Sequence, residues 1–406
     1  MIDTKTDYYL SLEEKYGAHN YHPLPVVIEK GSGVYLFDIE GKKYFDFLSG
    51  YSAVNQGHCH PSIVQALVEQ ASKLTLTSRA FYNDKLGIYE KYITQLFGYD
   101  KVLPMNTGVE AGETAVKLAR RWAYEIKGVP DNEAVIIFPE GNFWGRTIAA
   151  ISSSSDPTSY HNFGPFVPGF LQIPYNNTEY LEKALQNKSI AAFMVEPIQG
   201  EAGVIVPDEG YLSTAYALCK KYNVLFIADE IQTGLCRTGK LLAVDYENVK
   251  PDILILGKAL SGGVMPISAV LCDDYIMNTI KPGEHGSTFG GNPLASVIAM
   301  RALEVLLEEN LATNAFEMGV LFRQEIGQLK TPFIKMIRGK GLLNAIEVDS
   351  KRPNAAWDFC MALKENGLLA KPTQGNKIRL APPLIINKSQ IIESVAIIDK
   401  TLQNFQ

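Results

Sequence analysis

Lys258 closes the run Asp252-Ile-Leu-Ile-Leu-Gly-Lys258, and an acid pair closes the run Val224-Leu-Phe-Ile-Ala-Asp229-Glu230. Each is a short apolar stretch that ends in a group able to do chemistry. A lysine held in apolar surroundings loses affinity for its proton and becomes a nucleophilic amine, suited to a Schiff base with an aldehyde. A carboxylate nearby can keep a heterocyclic nitrogen protonated. Together they form the protein's half of a reaction in which a bound heterocycle acts as electron sink.

Two further segments suit a phosphate. Asn106-Thr107-Gly108-Val109-Glu110 opens a helix, whose first N–H groups and dipole favour a dianion. Gly108 permits close backbone approach and Thr107 adds a hydroxyl, although the same residues also make an ordinary helix cap. Glu284-His285-Gly286-Ser287-Thr288-Phe289-Gly290-Gly291 is the second candidate, with Ser287 and Thr288 as donors. His58 and His60 have the spacing of a metal pair, but the turn and helix start at Pro61 explain them better, and no metal is expected.

The elements that must position these groups alternate. Helical patterns cover Pro61–Leu74, Glu110–Lys127, Glu179–Asn187 and Tyr211–Tyr222. Strand patterns cover Ala134–Phe138, Ala191–Val195, Val224–Asp229, Asp252–Leu256 and Ile267–Cys272. Val- and Ile-rich strands between helices predict an α/β fold with a mostly parallel sheet covered on both faces. Ligands of such sheets sit outside the strand carboxyl ends, where Pro197, Asp229 and Lys258 fall. After Asn292-Pro293 the pattern changes to helices at Leu294–Glu309 and Phe316–Leu329, strands near Phe333–Val348 and Lys377–Leu380, and helices at Ala355–Gly367 and Lys388–Phe405. A hairpin at Tyr35–Phe37 and Tyr44–Asp46 is expected to join this second, α+β lobe.

Composition sets the outer limits. The chain has 406 residues, 46% hydrophobic and 20% charged, enough for a large domain and a smaller companion. Its net charge of -6 and lack of a basic run argue against nucleic acid. Five scattered cysteines form neither a disulfide framework nor a zinc pattern. A reducing compartment follows. The acidic N-terminus lacks a signal core and no run is long enough to cross a bilayer, so no membrane partner and a cytoplasmic location are expected.

With these segments in place, the chain resembles the class III (subgroup II) pyridoxal-phosphate aminotransferases of fold type I. The resemblance runs from Lys15-Tyr-Gly-Ala-His-Asn-Tyr-His-Pro23 to Ile378-Arg-Leu-Ala-Pro-Pro383. Its most specific stretches are Asn55-Gln-Gly-His-Cys-His-Pro61, Leu103–Thr114, Gly141-Asn-Phe-Trp-Gly-Arg146, Val195-Glu-Pro-Ile-Gln-Gly-Glu-Ala-Gly203 and Ala228-Asp-Glu-Ile-Gln-Thr-Gly234, together with the Lys258 run. Many members have an aromatic-His-Gly stretch where this chain has Phe143-Trp144-Gly145. Trp144 is similar to the branch that acts on ornithine.

The resemblance implies a seven-stranded-type central sheet in residues 48–291, and a small α+β domain built from 292–406 with 1–47 joining it. It implies pyridoxal 5'-phosphate as cofactor, and transfer of the δ-amino group of L-ornithine to 2-oxoglutarate. Lys258 would carry the cofactor, Asp229 would pair with its ring nitrogen, Gln232 with its 3-hydroxyl, and Phe143 would stack on its face. Gly108 and Val109 would hold the phosphate through N–H groups. Thr288 would reach the phosphate of the neighbouring subunit, making a homodimer or higher homo-oligomer with shared sites. Arg146 and Tyr21 would grip the α-carboxylate and α-amino group of ornithine, and Tyr51 would shape the pocket. Glu201 and Arg379 would form a switchable ion pair. Near rivals are acetylornithine, γ-aminobutyrate and lysine aminotransferases. A catalytically silent binding protein on the same fold is the rival from another class.

Overall fold

In a computed structural model, residues 4–349 and 353–405 are described. The first residues of the acidic N-terminus, Met1–Asp3, lie outside them. The central sheet has seven strands, in the spatial order Lys101–Met105, Ser268–Cys272, Ile253–Leu256, Leu225–Asp229, Ile190–Val195, Val135–Pro139 and Phe170–Ile173. Ser268–Cys272 runs antiparallel to both its neighbours, and the pairings from Ile253–Leu256 to Phe170–Ile173 are parallel. The four strands Ile190–Val195, Leu225–Asp229, Ile253–Leu256 and Ser268–Cys272 are buried at every residue. That is why they read as continuous apolar runs rather than alternating ones.

Alternate side chains feed two cores, as the period of a strand requires. Phe193, Phe226, Leu254 and Leu256 pack with Leu212, Ala215, Ala299 and Leu303 on one face. Ala192, Met194, Ile227, Ile253 and Ile255 pack on the other face with Ala111, Ala115, Leu118 and Trp122. These last four lie on the helix Gly108–Trp122. It starts two residues before the expected Glu110 because Thr107 and Glu110 form a reciprocal cap. Its continuation, Ala123–Lys127, is π-helical, ending at Gly128 with φ 82°.

The sequence reading lacked both edge strands of the sheet. Lys101–Met105 carries Pro104, and Phe170–Ile173 has only four residues. Edge strands tolerate proline and exposed side chains, so their apolar signal is weak. The helix expected from Phe316 begins at Leu311, directly after Asn310 turns the chain with φ 52°.

Two smaller four-stranded sheets flank this body. The N-terminal strands Ile28–Ser32, Tyr35–Asp38 and Lys43–Asp46 form an antiparallel set, which Leu368–Leu369 joins in parallel register at Phe45 and Asp46. The other sheet is antiparallel, with strands Ile334–Lys340, Leu343–Val348, Lys377–Leu380 and Lys371–Pro372. Arg237, wholly buried, ties the large-sheet loops to these segments. Its guanidinium donates to Leu342 O (3.1 Å), Pro382 O (2.6 Å) and Asn55 Oδ1 (2.5 Å).

Arg237→Ala leaves those three acceptors without their donor and opens a cavity. Such a loss costs about 3 kcal/mol or more. A urea melt of the variant is expected to show a lower midpoint; an unchanged midpoint would remove the stitching role.

Candidate active site

Three neighbouring strands end side by side and deliver three titratable groups. Ile190–Val195 is followed by Glu196, Leu225–Asp229 ends in Asp229, and Ile253–Leu256 is followed after Gly257 by Lys258. Asp229 pairs in register with Ile255, three residues before the lysine. Lys258 has φ 42°, a left-handed conformation unusual for a residue with a side chain, at the start of a 3-10 turn Lys258–Ser261. Strain of this kind concentrates at functional sites. Burial lowers the proton affinity of its amine. Glu201, Asp229 and Glu196 oppose that effect, and Arg379 reinforces it.

Asp229 is 4% exposed and accepts from Ile231 N–H at 3.1 Å. Burial pushes its carboxyl up to about 6. Glu196, also buried, accepts from the N–H groups of Phe143 (2.9 Å) and Gly200 (3.4 Å). Burial, and then the charge of Asp229, push it up to about 8. Glu196 has no role assigned from the sequence, although it follows Val195 in one of the family-like stretches. Its position directly after a buried strand, beside Pro197, was the available signal.

Lys258 shares one wall of a cavity of about 570 Å³ with Asn106, Thr107 and Gly108. A Cβ at Gly108 would meet Ile231 Cδ1 at 3.0 Å, so a bare backbone is what fits there. The first-turn N–H groups of Gly108 and Val109 have no carbonyl inside the helix to bond. The Thr107 hydroxyl bonds Glu110 as the cap, and its N–H donates to Glu110 Oε2 at 2.7 Å. Ser287 Oγ accepts from Asn106 Nδ2 at 2.7 Å, which puts Ser287 against this helix start. Thr288 is exposed, next to Phe289, which is 51% exposed.

A second cavity, about 590 Å³, is lined by Tyr51, Phe143, Arg146, Glu201 and Arg379. The Arg146 guanidinium lies 5.2 Å from the Phe143 ring centre and donates to Ser159 Oγ at 2.8 Å. Arg379, 2% exposed, donates to Glu201 Oε1 at 2.7 Å and to Gln232 Oε1 at 3.1 Å. The amide nitrogen of Gln232 donates back to Glu201 Oε1 at 3.1 Å. Gln232 thus bridges the ion pair. Burial would raise the Glu201 carboxyl, but Arg379 and Lys258 outweigh it and hold the group below its ordinary value. The Nε of Arg379 is buried and has no partner. Tyr51, at φ 60°, places its ring 4.7 Å from the Arg379 guanidinium carbon.

Tyr21 is the outlier among the expected residues. It is 72% exposed and lines a third, apolar cavity of about 420 Å³ that meets the second at Tyr51. Trp144 is not in the site. Its ring stacks on Phe138 and its Nε1 donates to Ser153 Oγ at 2.7 Å. His58 and His60 face different acids, Asp46 at 2.7 Å and Glu309 at 2.9 Å.

An amine with weakened hold on its proton, a buried acid on the adjoining strand and a glycine-opened helix start together fit a phosphorylated heterocyclic aldehyde. They define a lysine-centred transferase on a seven-stranded α/β sheet. The chain belongs to the class-III aminotransferases: the family description "Aminotransferase class-III" matches residues 16–402. It is 66% identical over 390 residues to the mitochondrial ornithine aminotransferase of Drosophila melanogaster, covering 96% of this chain and 90% of that protein. An ornithine aminotransferase structure from Toxoplasma gondii, described as having partial occupancy of PLP at its active site, is 52% identical with a TM-score of 0.97, covering 100% of this chain and 95% of that one. The acetylornithine aminotransferase of Elizabethkingia anophelis is 59% identical with a TM-score of 0.91, covering 99% of this chain and 100% of that one.

Both raised carboxyls make the cofactor-free protein lose stability with rising pH. Their contribution is fully present below the unfolded values of 3.8 and 4.5, and is lost as pH passes through about 6 and then about 8. Thermal unfolding midpoints are therefore expected to fall between pH 5 and pH 8.5, and Glu196→Gln to flatten that fall by roughly 2 °C. Glu230, also raised to about 8 by burial, leaves part of the slope in place. Parallel slopes in wild type and variant would refute the assignment to Glu196.

Proposed function

We propose that this chain transfers the δ-amino group of L-ornithine to 2-oxoglutarate, giving glutamate and glutamate 5-semialdehyde, which cyclises to pyrroline-5-carboxylate. The observation that carries this reading is the bridged Glu201–Arg379 pair in the same pocket as Arg146. 2-Oxoglutarate has a carboxylate beside its reacting carbon and needs a free arginine for bidentate binding. Ornithine has only a methylene there. An unmasked Arg379 would attract its α-carboxylate and present the wrong amine. Glu201 masks Arg379 in the first half-reaction and releases it in the second, and the unpartnered Nε of Arg379 is ready for a second acceptor.

Pyridoxal phosphate is the cofactor, and when bound it supplies the electron sink that lets a substrate C–H bond ionise. Lys258 provides the amine that holds it and then moves a proton at the substrate Cδ, acting as base and acid. Burial lowers the proton affinity of that amine, which favours its nucleophilic form. Asp229 keeps the ring nitrogen protonated. Glu196 fixes Phe143 by its N–H, orienting the aromatic ring beside Arg146. Gly108 and Val109 hold the phosphate by their N–H groups, with Thr107 and Ser287 shaping the turn. Arg146 binds the α-carboxylate of ornithine. Tyr51 closes the pocket toward Tyr21, which meets the α-amino group from the adjoining cavity.

A homodimer completes the phosphate site through Thr288, whose exposure beside Phe289 supports a covering subunit. Residues 48–291 carry the cofactor, and 1–47 fold with 292–406, a division supported by the pairing of Lys43–Asp46 with Leu368–Leu369. A cytoplasmic location is supported by five unpaired cysteines, four of them buried. No helix among the described residues is long and apolar enough to cross a membrane.

N-Acetylornithine is the second reading, favoured by the Elizabethkingia anophelis relative. An acetyl group would cover the amine assigned to Tyr21. Single-turnover rates are expected to favour ornithine over N-acetylornithine by roughly tenfold or more, the scale of one lost charged hydrogen bond. A reversed preference would move the assignment. Glu201→Ala is expected to raise the glutamate half-reaction relative to the ornithine one by a similar factor. An unchanged ratio would remove the masking role.

A further inference from the structure

Lys371 stands directly across from the gating arginine and has no task in the scheme above. The short strand Lys371–Pro372 pairs antiparallel with Lys377–Leu380, and its register sets Lys371 opposite Arg379. Directly opposed residues of an antiparallel pair project from the same face, with Cβ atoms about 5 Å apart. Lys371 lines the substrate cavity together with Arg146, Glu201 and Arg379. It also lines the adjoining cavity of Tyr21, and with Tyr51 it is the place where the two meet. The residues that follow it reach the same wall: Thr373 donates its hydroxyl to Glu201 O at 2.6 Å.

The two neighbouring cations differ in compensation. Arg379 has the carboxylate of Glu201. Lys371 has no ion-pair partner among the described residues, and burial alone weakens its hold on its proton. An uncompensated ammonium at a cavity wall biases which charged ligands enter. The two substrates differ most in charge. 2-Oxoglutarate carries two carboxylates and no amine; ornithine carries one carboxylate and two ammonium groups.

We propose that Lys371 is a specificity-determining residue for the dicarboxylate half-reaction, an uncompensated cation that draws in 2-oxoglutarate and glutamate and disfavours the diamine. The inference rests on the reading of the site as alternating between these two substrate types. It separates two functions within one strand pair. Arg379 is switched by Glu201 between half-reactions, whereas Lys371 is a fixed charge present in both. Loss of the fixed charge therefore weakens binding of the dianion and is, at most, a gain for the diamine.

The test uses the holoenzyme with Lys371→Gln and Lys371→Arg, following each half-reaction separately by absorbance. Lys371→Gln is expected to raise the KM for 2-oxoglutarate roughly tenfold, the reach of one nearby charge, with kcat within about twofold. Its KM for ornithine is expected to stay level or fall. A monocarboxylate acceptor, 2-oxobutyrate, is expected to lose less than 2-oxoglutarate does. Lys371→Arg is expected to restore the 2-oxoglutarate KM, which a purely structural role of the lysine would not predict. Equal KM changes for both substrates, an unchanged 2-oxoglutarate KM, or no recovery with arginine would each overturn the proposal while leaving ornithine turnover in place. A wild-type enzyme that fails to react with ornithine would overturn the functional reading instead, and this proposal with it.

Discussion

The structure depends on keeping charge at the dry edge of a parallel sheet. Glu196, Asp229 and Lys258 emerge from three adjacent strands whose side chains are otherwise apolar and buried. Burial penalises the charged form of each, so each group adjusts its proton affinity to its surroundings and neighbours. The two acids rise, to about 8 and about 6, and the amine falls, each driven first by burial. The two apolar faces of the sheet are thus part of the chemistry: they hold the strand ends in register and keep the low-dielectric surroundings that tune them.

The same economy governs the substrate side. Arg379 is nearly inaccessible, and a buried cation survives only with partners. Glu201 and Gln232 supply them in a closed triangle of hydrogen bonds. The triangle brings the Gln232 amide to the ion pair, within the same side chain that the resemblance implies for the ring 3-hydroxyl. Because Gln232 lies three residues beyond Asp229, a rearrangement of the pair is coupled through one short turn to the acid at the cofactor end of the site.

Much of this was legible in the sequence. Continuous apolar runs ending in Asp229 and Lys258 gave the buried strands, because a sheet covered on both faces makes short runs rich in branched residues, and the family resemblance supplied the expected residue roles. The edge strands Lys101–Met105 and Phe170–Ile173 were not legible, since exposed side chains interrupt their apolar pattern and one carries a proline. Glu196 was missed for a different reason. Its importance comes from distance to Asp229 and from two backbone donors, neither of which leaves a mark in residue type. Lys371 was equally silent, because its place opposite Arg379 is a property of strand register.

Gly200 carries a consequence for how such a pocket can diversify. A methyl group there would fall 1.8 Å from the Gln232 amide oxygen. A side chain at this position would displace the amide that braces the arginine. Tyr21 and Lys371 border the adjoining cavity free of that constraint, so a change of substrate that keeps the arginine braced has room there.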